Sequence, residues 1–284
     1  MKEVSIVVPA IEWSSFTQQC VTACAINFPD ATIILVLDSV PFQEVSFSNL
    51  VILKKEGSIA KKRNEGVKIA TTEFVAFIDS DAYPCKNWLN AAIQILNNKA
   101  YVGIVGGPNI SPDHQEYQRR IVGSAVRSWL VAGKWNFYKS KESRARYCDN
   151  LPSCNWVLRK QTFVQIGGMK EELEVGEDTD FCARLISKKR KIYFHPSVLV
   201  YHYDRKIDAY LRQRLVRGAG IYLHLFGNSA QKQNLYTYFL LQPVILLLLA
   251  CSFPLAFFWS FWGLVLLSIS GFYLFFIIVE TIKC

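Results

Sequence analysis

From Leu235 to Val279 the chain runs forty-five residues without one Asp, Glu, Lys or Arg. As helix that run would extend about 68 Å, against a bilayer hydrocarbon core of about 30 Å. One span uses too little of it and three do not fit, so two spans forming a hairpin over 235–280 are expected. Pro254 is the expected break, and Phe257, Phe258, Trp259, Phe261 and Trp262 suit the far interface. The turn carries no Lys or Arg. Arg205, Lys206, Arg212, Arg214 and Arg217 precede the first span, and Lys283 follows the second. That asymmetry predicts a multi-pass protein of the cell's inner (cytoplasmic) membrane, with both ends and the preceding domain in the cytosol. A buried hairpin in a soluble protein is the competing fold, and is rare at this length.

Residues 1–230 are frequently charged and are long enough for one catalytic domain of ordinary size. The net charge is +9. Its clusters are Lys188 to Lys191 and the stretch before the apolar run, where anionic headgroups would meet it; no nucleic-acid partner is expected. The N-terminus enters a strand-like run directly and lacks the features of a signal peptide. Eight cysteines lack paired metal-site spacing and read as small apolar thiols in a reducing compartment.

Short β-branched runs at Val4–Val8, Ala31–Leu37, Val51–Leu53, Phe74–Ile78 and Val102–Val105 read as buried strands. Helical patterns at Gln18–Asn27, Ile59–Ala70 and Trp88–Asn97 alternate with them, which predicts an α/β domain with a mostly parallel sheet. Ser111 to Asn150 reads as a loop region or insertion. Further on, Gln161–Ile166, Thr179–Ser187 and Asp208–Leu225 look helical, and Lys191–Phe194 and Val198–Tyr203 look like strands.

Chemistry gathers at the strand ends. Asp79-Ser80-Asp81 follows a buried strand, and ligands of open α/β sheets bind beyond the carboxyl ends of strands. Two carboxylates there can hold a divalent cation that bridges a diphosphate, although such a pair alone is more often a turn or helix cap. Asp38 ends a second strand and can accept hydrogen bonds from a nucleobase or ribose, or merely shape a turn. Gly57 to Gly66 is a small-residue turn entering a helix with Lys61, Lys62 and Arg63 in its first turns. It suits phosphate, or is an exposed basic face. Glu177, Asp178 and Asp180 crowd a helix start, where the macrodipole stabilises them and where one of them can serve as a general base. His202, after Val198 to Tyr201, is a candidate metal ligand or a structural histidine.

Taken in order, Val7-Val8-Pro9, Asp38, Ala60 to Gly66, Asp79-Ser80-Asp81 with Pro84 and Trp88, Ile166 to Met169 and Gly176-Glu177-Asp178 resemble glycosyltransferase family 2. The resemblance covers roughly Val4 to Gly220 and implies a GT-A-type nucleotide-sugar-binding fold. It implies Asp38 at the nucleobase, Arg63 and Asn64 near the nucleotide, Asp79 at the ribose or metal, and Asp81 as a ligand of Mg²⁺ or Mn²⁺. His202 would be a further ligand. Asp178 would be the base, with Glu177 and Asp180 beside it on the acceptor side, and the anomeric carbon would be inverted. The implied partners are a nucleotide-sugar donor and a lipid-linked or other saccharide acceptor in surface polysaccharide assembly. Gln213-Arg214-Leu215-Val216-Arg217 lacks the Trp of processive members, which favours transfer of a single sugar. A nucleotidyltransferase and a non-catalytic membrane scaffold of the same fold are the alternatives.

Overall fold

The computed structural model describes residues 3–39, 47–128, 144–173 and 175–215, with Ser268 and Gly271. The chain divides into two compact units: Met1–Glu116 with Phe137–Asp204, and Tyr117–Asn136 with Arg205–Cys284.

The first unit is an α/β domain. Its strands β1 (Val4–Pro9), β2 (Thr32–Leu37), β3 (Leu50–Lys54) and β4 (Phe74–Ile78) pair in parallel in the order β3-β2-β1-β4. The expected sheet was mostly parallel; the observed one is mixed. β9 (Asn155–Arg159) lies antiparallel between β4 and β6 (Val102–Gly106), at the centre of the sheet. β10 (Lys191–Phe194) then pairs in parallel with β6, and β8 (Arg146–Cys148) closes the edge antiparallel to β10. A second sheet has the order β5-β11-β7, from Ala82–Pro84, Val200–His202 and Asn109–Ile110. The region expected as a loop, 111–150, thus supplies β8 and, in the second unit, the helix α4 (Tyr117–Arg127).

Strand alternation sends neighbouring residues to opposite faces. Ile6, Val8, Ala76, Ile78 and Val157 join a core with helices α1 (Ser15–Asn27) and α3 (Trp88–Asn98). Val7 meets α2 (Ile59–Ile69), and on this second face Phe77 and Trp156 pack against Phe163 of α5 (Lys160–Ile166) and Phe181 of α6 (Glu177–Ser187). Gly66 permits the close approach of α2, since a Cβ there would lie 2.4 Å from Val7 Cγ1. Ser14 and Ser58 start α1 and α2 by accepting from Thr17 N and Lys61 N, each at 3.2 Å.

In the second unit the described backbone is α4 and a helix at 207–215. Among the described residues no helix is long and apolar enough to cross a membrane. Apart from Ser268 and Gly271, the hairpin expected over 235–280 lies outside the described residues, as does the part of the expected helix 208–225 beyond 215.

Candidate active site

Because β1, β2 and β4 run parallel, their carboxyl ends share one edge of the sheet, and Asp38 and Asp79 follow β2 and β4 there. His202 arrives from β11, which pairs with β5 so that His202 opposes Ala82, the residue after Asp81. The result is a tight acid–imidazole group: His202 Nε2 lies 3.4 Å from Asp81 Oδ1 and 3.7 Å from Asp79 Oδ2. Tyr203 fixes this end of β11. Its N–H donates to Asp81 O at 3.0 Å and its hydroxyl donates to Gln19 Oε1, also at 3.0 Å.

The cations that open α2 turn inward. Lys62 is 1% exposed, donates to Ala10 O at 2.6 Å and pairs with Asp38 Oδ1 at 2.8 Å. Arg63 is 2% exposed and pairs with Asp79 Oδ1 at 2.6 Å and with Glu177 Oε1 at 3.1 Å. An exposed basic face is therefore excluded at these two positions, because each side chain is drawn to a carboxylate of the chain itself. Through Arg63 the strand-end acids are joined to the start of α6, where Gly176, in the left-handed region at φ 86°, makes the N-cap.

The two acids on Arg63 respond differently. Burial opposes the charge of Asp79, but Arg63 and His202 outweigh it, and the carboxyl falls to about 2. For Glu177, burial and the neighbouring charge of Asp178 push the carboxyl up despite Arg63. Burial also works against the Arg63 charge, yet Asp79, Glu177 and Asp178 hold its pKa above the usual value. Asp178 accepts from Thr179 N at 2.7 Å.

Asn64 and Asp180 have other bonds. The Asn64 amide donates to Met169 O at 2.8 Å and Glu171 Oε1 at 2.9 Å and accepts from Met169 N at 2.9 Å, tying α2 to the loop after α5. Asp180 is buried between Lys170 Nζ at 2.9 Å and Arg184 at 2.7 Å, and Arg184 continues to Ile166 O and Gly168 O. The structure thus gathers Arg63, Asp79, Asp81, Glu177 and His202, places Asp178 beside Glu177, sets Asp38 on Lys62, and holds Asn64 and Asp180 in clamps of their own.

Cys154 escaped the sequence reading, which looked for paired cysteine spacing. Its sulfur and ligand atoms of Asp79 and His202 all lie within 4.8 Å of one another. The legible signal is the short apolar run from Trp156 to Leu158, which forms β9 and brings the residues before it to the Asp79 edge. The His202 imidazole nitrogen lies 3.4 Å from one oxygen of Asp81 and 3.7 Å from one of Asp79, and carboxylate and imidazole donors are of a type that fits a divalent cation. Asp79 and Asp81 would hold it, with His202.

Over 178 residues the chain is 30% identical to the pre-mycofactocin glycosyltransferase of two Mycobacterium tuberculosis strains. The match covers 60% of this chain and 34% of those proteins, so the chain spans about a third of the length of the curated relatives it matches. Among solved structures it resembles GalNAc-T7 with UDP, GalNAc and Mn²⁺ at a TM-score of 0.54 and 13% identity, over 72% of this chain and 44% of that one. The shared fold is the GT-A-like α/β fold. The profile of glycosyltransferase-like family 2 matches residues 2–220, and the chain belongs to that family.

Proposed function

We propose that the chain is a metal-dependent, inverting glycosyltransferase that moves one sugar from a nucleoside diphosphate sugar to an acceptor hydroxyl. One observation carries this reading: Arg63 joins a cation-fitting group, Asp79 with Asp81 and His202, to the Glu177–Asp178 pair. The reaction needs two acidic sites with different duties, one beside the leaving diphosphate and one beside the attacking hydroxyl.

Asp38, held by Lys62, accepts hydrogen bonds from the nucleobase. Asp79 and Asp81 sit at the ribose and diphosphate end of the donor. When bound, Mg²⁺ or Mn²⁺ supplies the positive charge that stabilises the departing diphosphate. Asp178 takes the proton of the acceptor hydroxyl as its oxygen bonds to the anomeric carbon. The bond from that carbon to the diphosphate breaks on the opposite side, its electron pair leaving with the diphosphate. Attack from that side inverts the centre.

We further infer that the acceptor is a lipid-linked saccharide in surface polysaccharide assembly, reached at the cytosolic face of the cell's inner membrane. This rests on the uncharged run 235–279 and the basic residues that precede it.

A donor screen on membrane-embedded full chain tests the reading, with Mn²⁺ or Mg²⁺ and then with EDTA. Release of nucleoside diphosphate from one nucleotide sugar, abolished by EDTA, is expected. Pyrophosphate release would instead identify a nucleotidyltransferase. No release from any donor, with folded protein and lipid extract present, would leave a scaffold.

A further inference from the structure

We propose that the far edge of the sheet carries a separate saccharide-binding surface, a tyrosine and cation platform around Tyr101, Tyr147 and Tyr193 that takes an anionic sugar chain. Tyr101 precedes β6 and Lys191 opens β10, so the platform stands at the amino ends of these strands. Asp79 follows the carboxyl end of β4, which runs parallel with β6 because β9 is antiparallel to both, and so lies at the opposite edge. The choice of a saccharide rests on the glycosyltransferase reading; the platform itself does not.

Three segments build the platform. β8 is the outermost strand of the sheet, and its Tyr147 lies opposite Tyr193 of β10 with ring centroids 5.0 Å apart. Tyr101 stands 6.3 Å from Tyr147, and His195 stands 6.3 Å from Tyr193. Lys99, the C-cap of α3, sets its ammonium 4.2 Å over Tyr193 and 5.5 Å over Tyr147. Tyr101 and Tyr147 share a hydrogen bond between hydroxyls of 2.6 Å, and Lys99 Nζ donates to the Tyr147 hydroxyl at 3.4 Å. Arg190 Nη1 donates to Ala100 O at 2.6 Å and Lys191 N donates to Tyr101 O at 3.0 Å, which holds both residues beside Tyr101. They belong to the basic cluster Lys188 to Lys191, which has no part in the proposed transfer.

Tyr101 is 49% exposed and Tyr147 is 47% exposed, although each could bury a large ring. Adjacent half-exposed tyrosines beside cations mark a binding surface rather than a need of the core. Centroid spacings of 5.0–6.3 Å are of the size of one pyranose, whose C–H faces stack on rings while its hydroxyls meet phenols. The rings tilt by 37° and 56° from Tyr101 to Tyr147 to Tyr193, so the row follows a twisting chain better than a parallel stack of bases. Charge narrows the ligand further. Lys99, Arg190, Lys191 and Arg146, at the start of β8, make the row cationic, which suits acidic groups on the sugars. Asp149, just past β8, is the carboxylate nearest to that strand in the chain. Tyr101 and Tyr147 are tied to each other at their hydroxyls, unlike the Leu, Phe or Trp by which a surface enters hydrocarbon, so a bilayer is the poorer occupant.

The probe is a polygalacturonate oligosaccharide, titrated by calorimetry into detergent-held full chain beside a neutral dextran oligosaccharide. Wild type is expected to bind polygalacturonate about tenfold more tightly than dextran. Changing Tyr101→Ala and Tyr147→Ala together is expected to weaken polygalacturonate by about tenfold. Lys191→Glu, at an exposed position, keeps the rings and should weaken polygalacturonate by about threefold while leaving dextran unchanged. Equal polygalacturonate affinity in wild type and the double tyrosine variant would mean attraction by net charge alone and overturns the proposal. Dextran bound as tightly as polygalacturonate overturns it too. So does a tyrosine-dependent preference for a single-stranded oligonucleotide, or for the soluble lipid headgroup glycerophosphoglycerol, in the same titration. Tyrosine-dependent polygalacturonate binding without release from any nucleotide sugar keeps this surface and removes the transferase reading. Release without such binding does the reverse.

Discussion

Two acidic regions meet on Arg63, and they are built differently. The strand-end region carries Asp79, whose carboxyl is drawn down to about 2 by Arg63 and His202 acting against burial. The helix-start region carries Glu177, whose carboxyl is pushed up by burial and by Asp178 although it touches the same guanidinium. One region is thus settled as an anion and suits a cation and a diphosphate. The other holds Glu177, whose carboxyl has a raised affinity for a proton, beside Asp178. The contrast follows from surroundings, since the residue types are nearly the same.

Removing the shared cation breaks the comparison hardest. Arg63→Ala leaves Asp79 and Glu177 without their common partner, and the loss of stability is expected to be about 4 kcal/mol by chemical denaturation. A loss below about 1 kcal/mol would mean that the two regions are not joined through Arg63. Asp180→Ala comes next. It frees Lys170 and Arg184, and should cost about 2 kcal/mol, with kcat of the folded fraction changed far less than by a change at Asp178. A kcat collapse in fully folded Asp180→Ala would move this residue into the chemistry.

Asp79→Asn sharpens the comparison through pH. The folded carboxyl lies near 2 against an ordinary value of 3.8, so its charge contributes stability above about pH 4 that is lost as pH falls toward 2. The stability gap between wild type and Asp79→Asn is expected to be about 2 kcal/mol at neutral pH and to shrink through that window. A gap that stays constant down to pH 2 would contradict the account of Asp79.

Much of this was legible in the sequence. The run at Phe74–Ile78 is uniformly apolar and that at 31–37 is apolar apart from Thr32, so their terminal acids announced a strand edge, and the observed strands end at Ile78 and Leu37. β9 was harder: Asn155 to Arg159 is a short strand with polar ends, and nothing local says that it inserts antiparallel into the sheet centre. Missing β9 meant missing both the mixed sheet and Cys154. The inward turn of Lys62 and Arg63 was equally hidden, because burial of a cation depends on distant carboxylates that sequence spacing does not reveal. Asn64 lies within a motif whose resemblance implied a place near the nucleotide; its hydrogen bonds to Met169 and Glu171 were not legible in the spacing.

The central claim is that the two acidic regions have separate duties, and one paired measurement tests it most directly. Donor binding by calorimetry in Mn²⁺ and single-turnover release of nucleoside diphosphate are followed in wild type, Asp178→Asn and Asp81→Ala. The account predicts unchanged donor affinity in Asp178→Asn with turnover reduced by about 10³-fold, and cation-dependent donor affinity weakened at least about tenfold in Asp81→Ala. Appreciable turnover by Asp178→Asn, or unchanged donor affinity in Asp81→Ala, would contradict it.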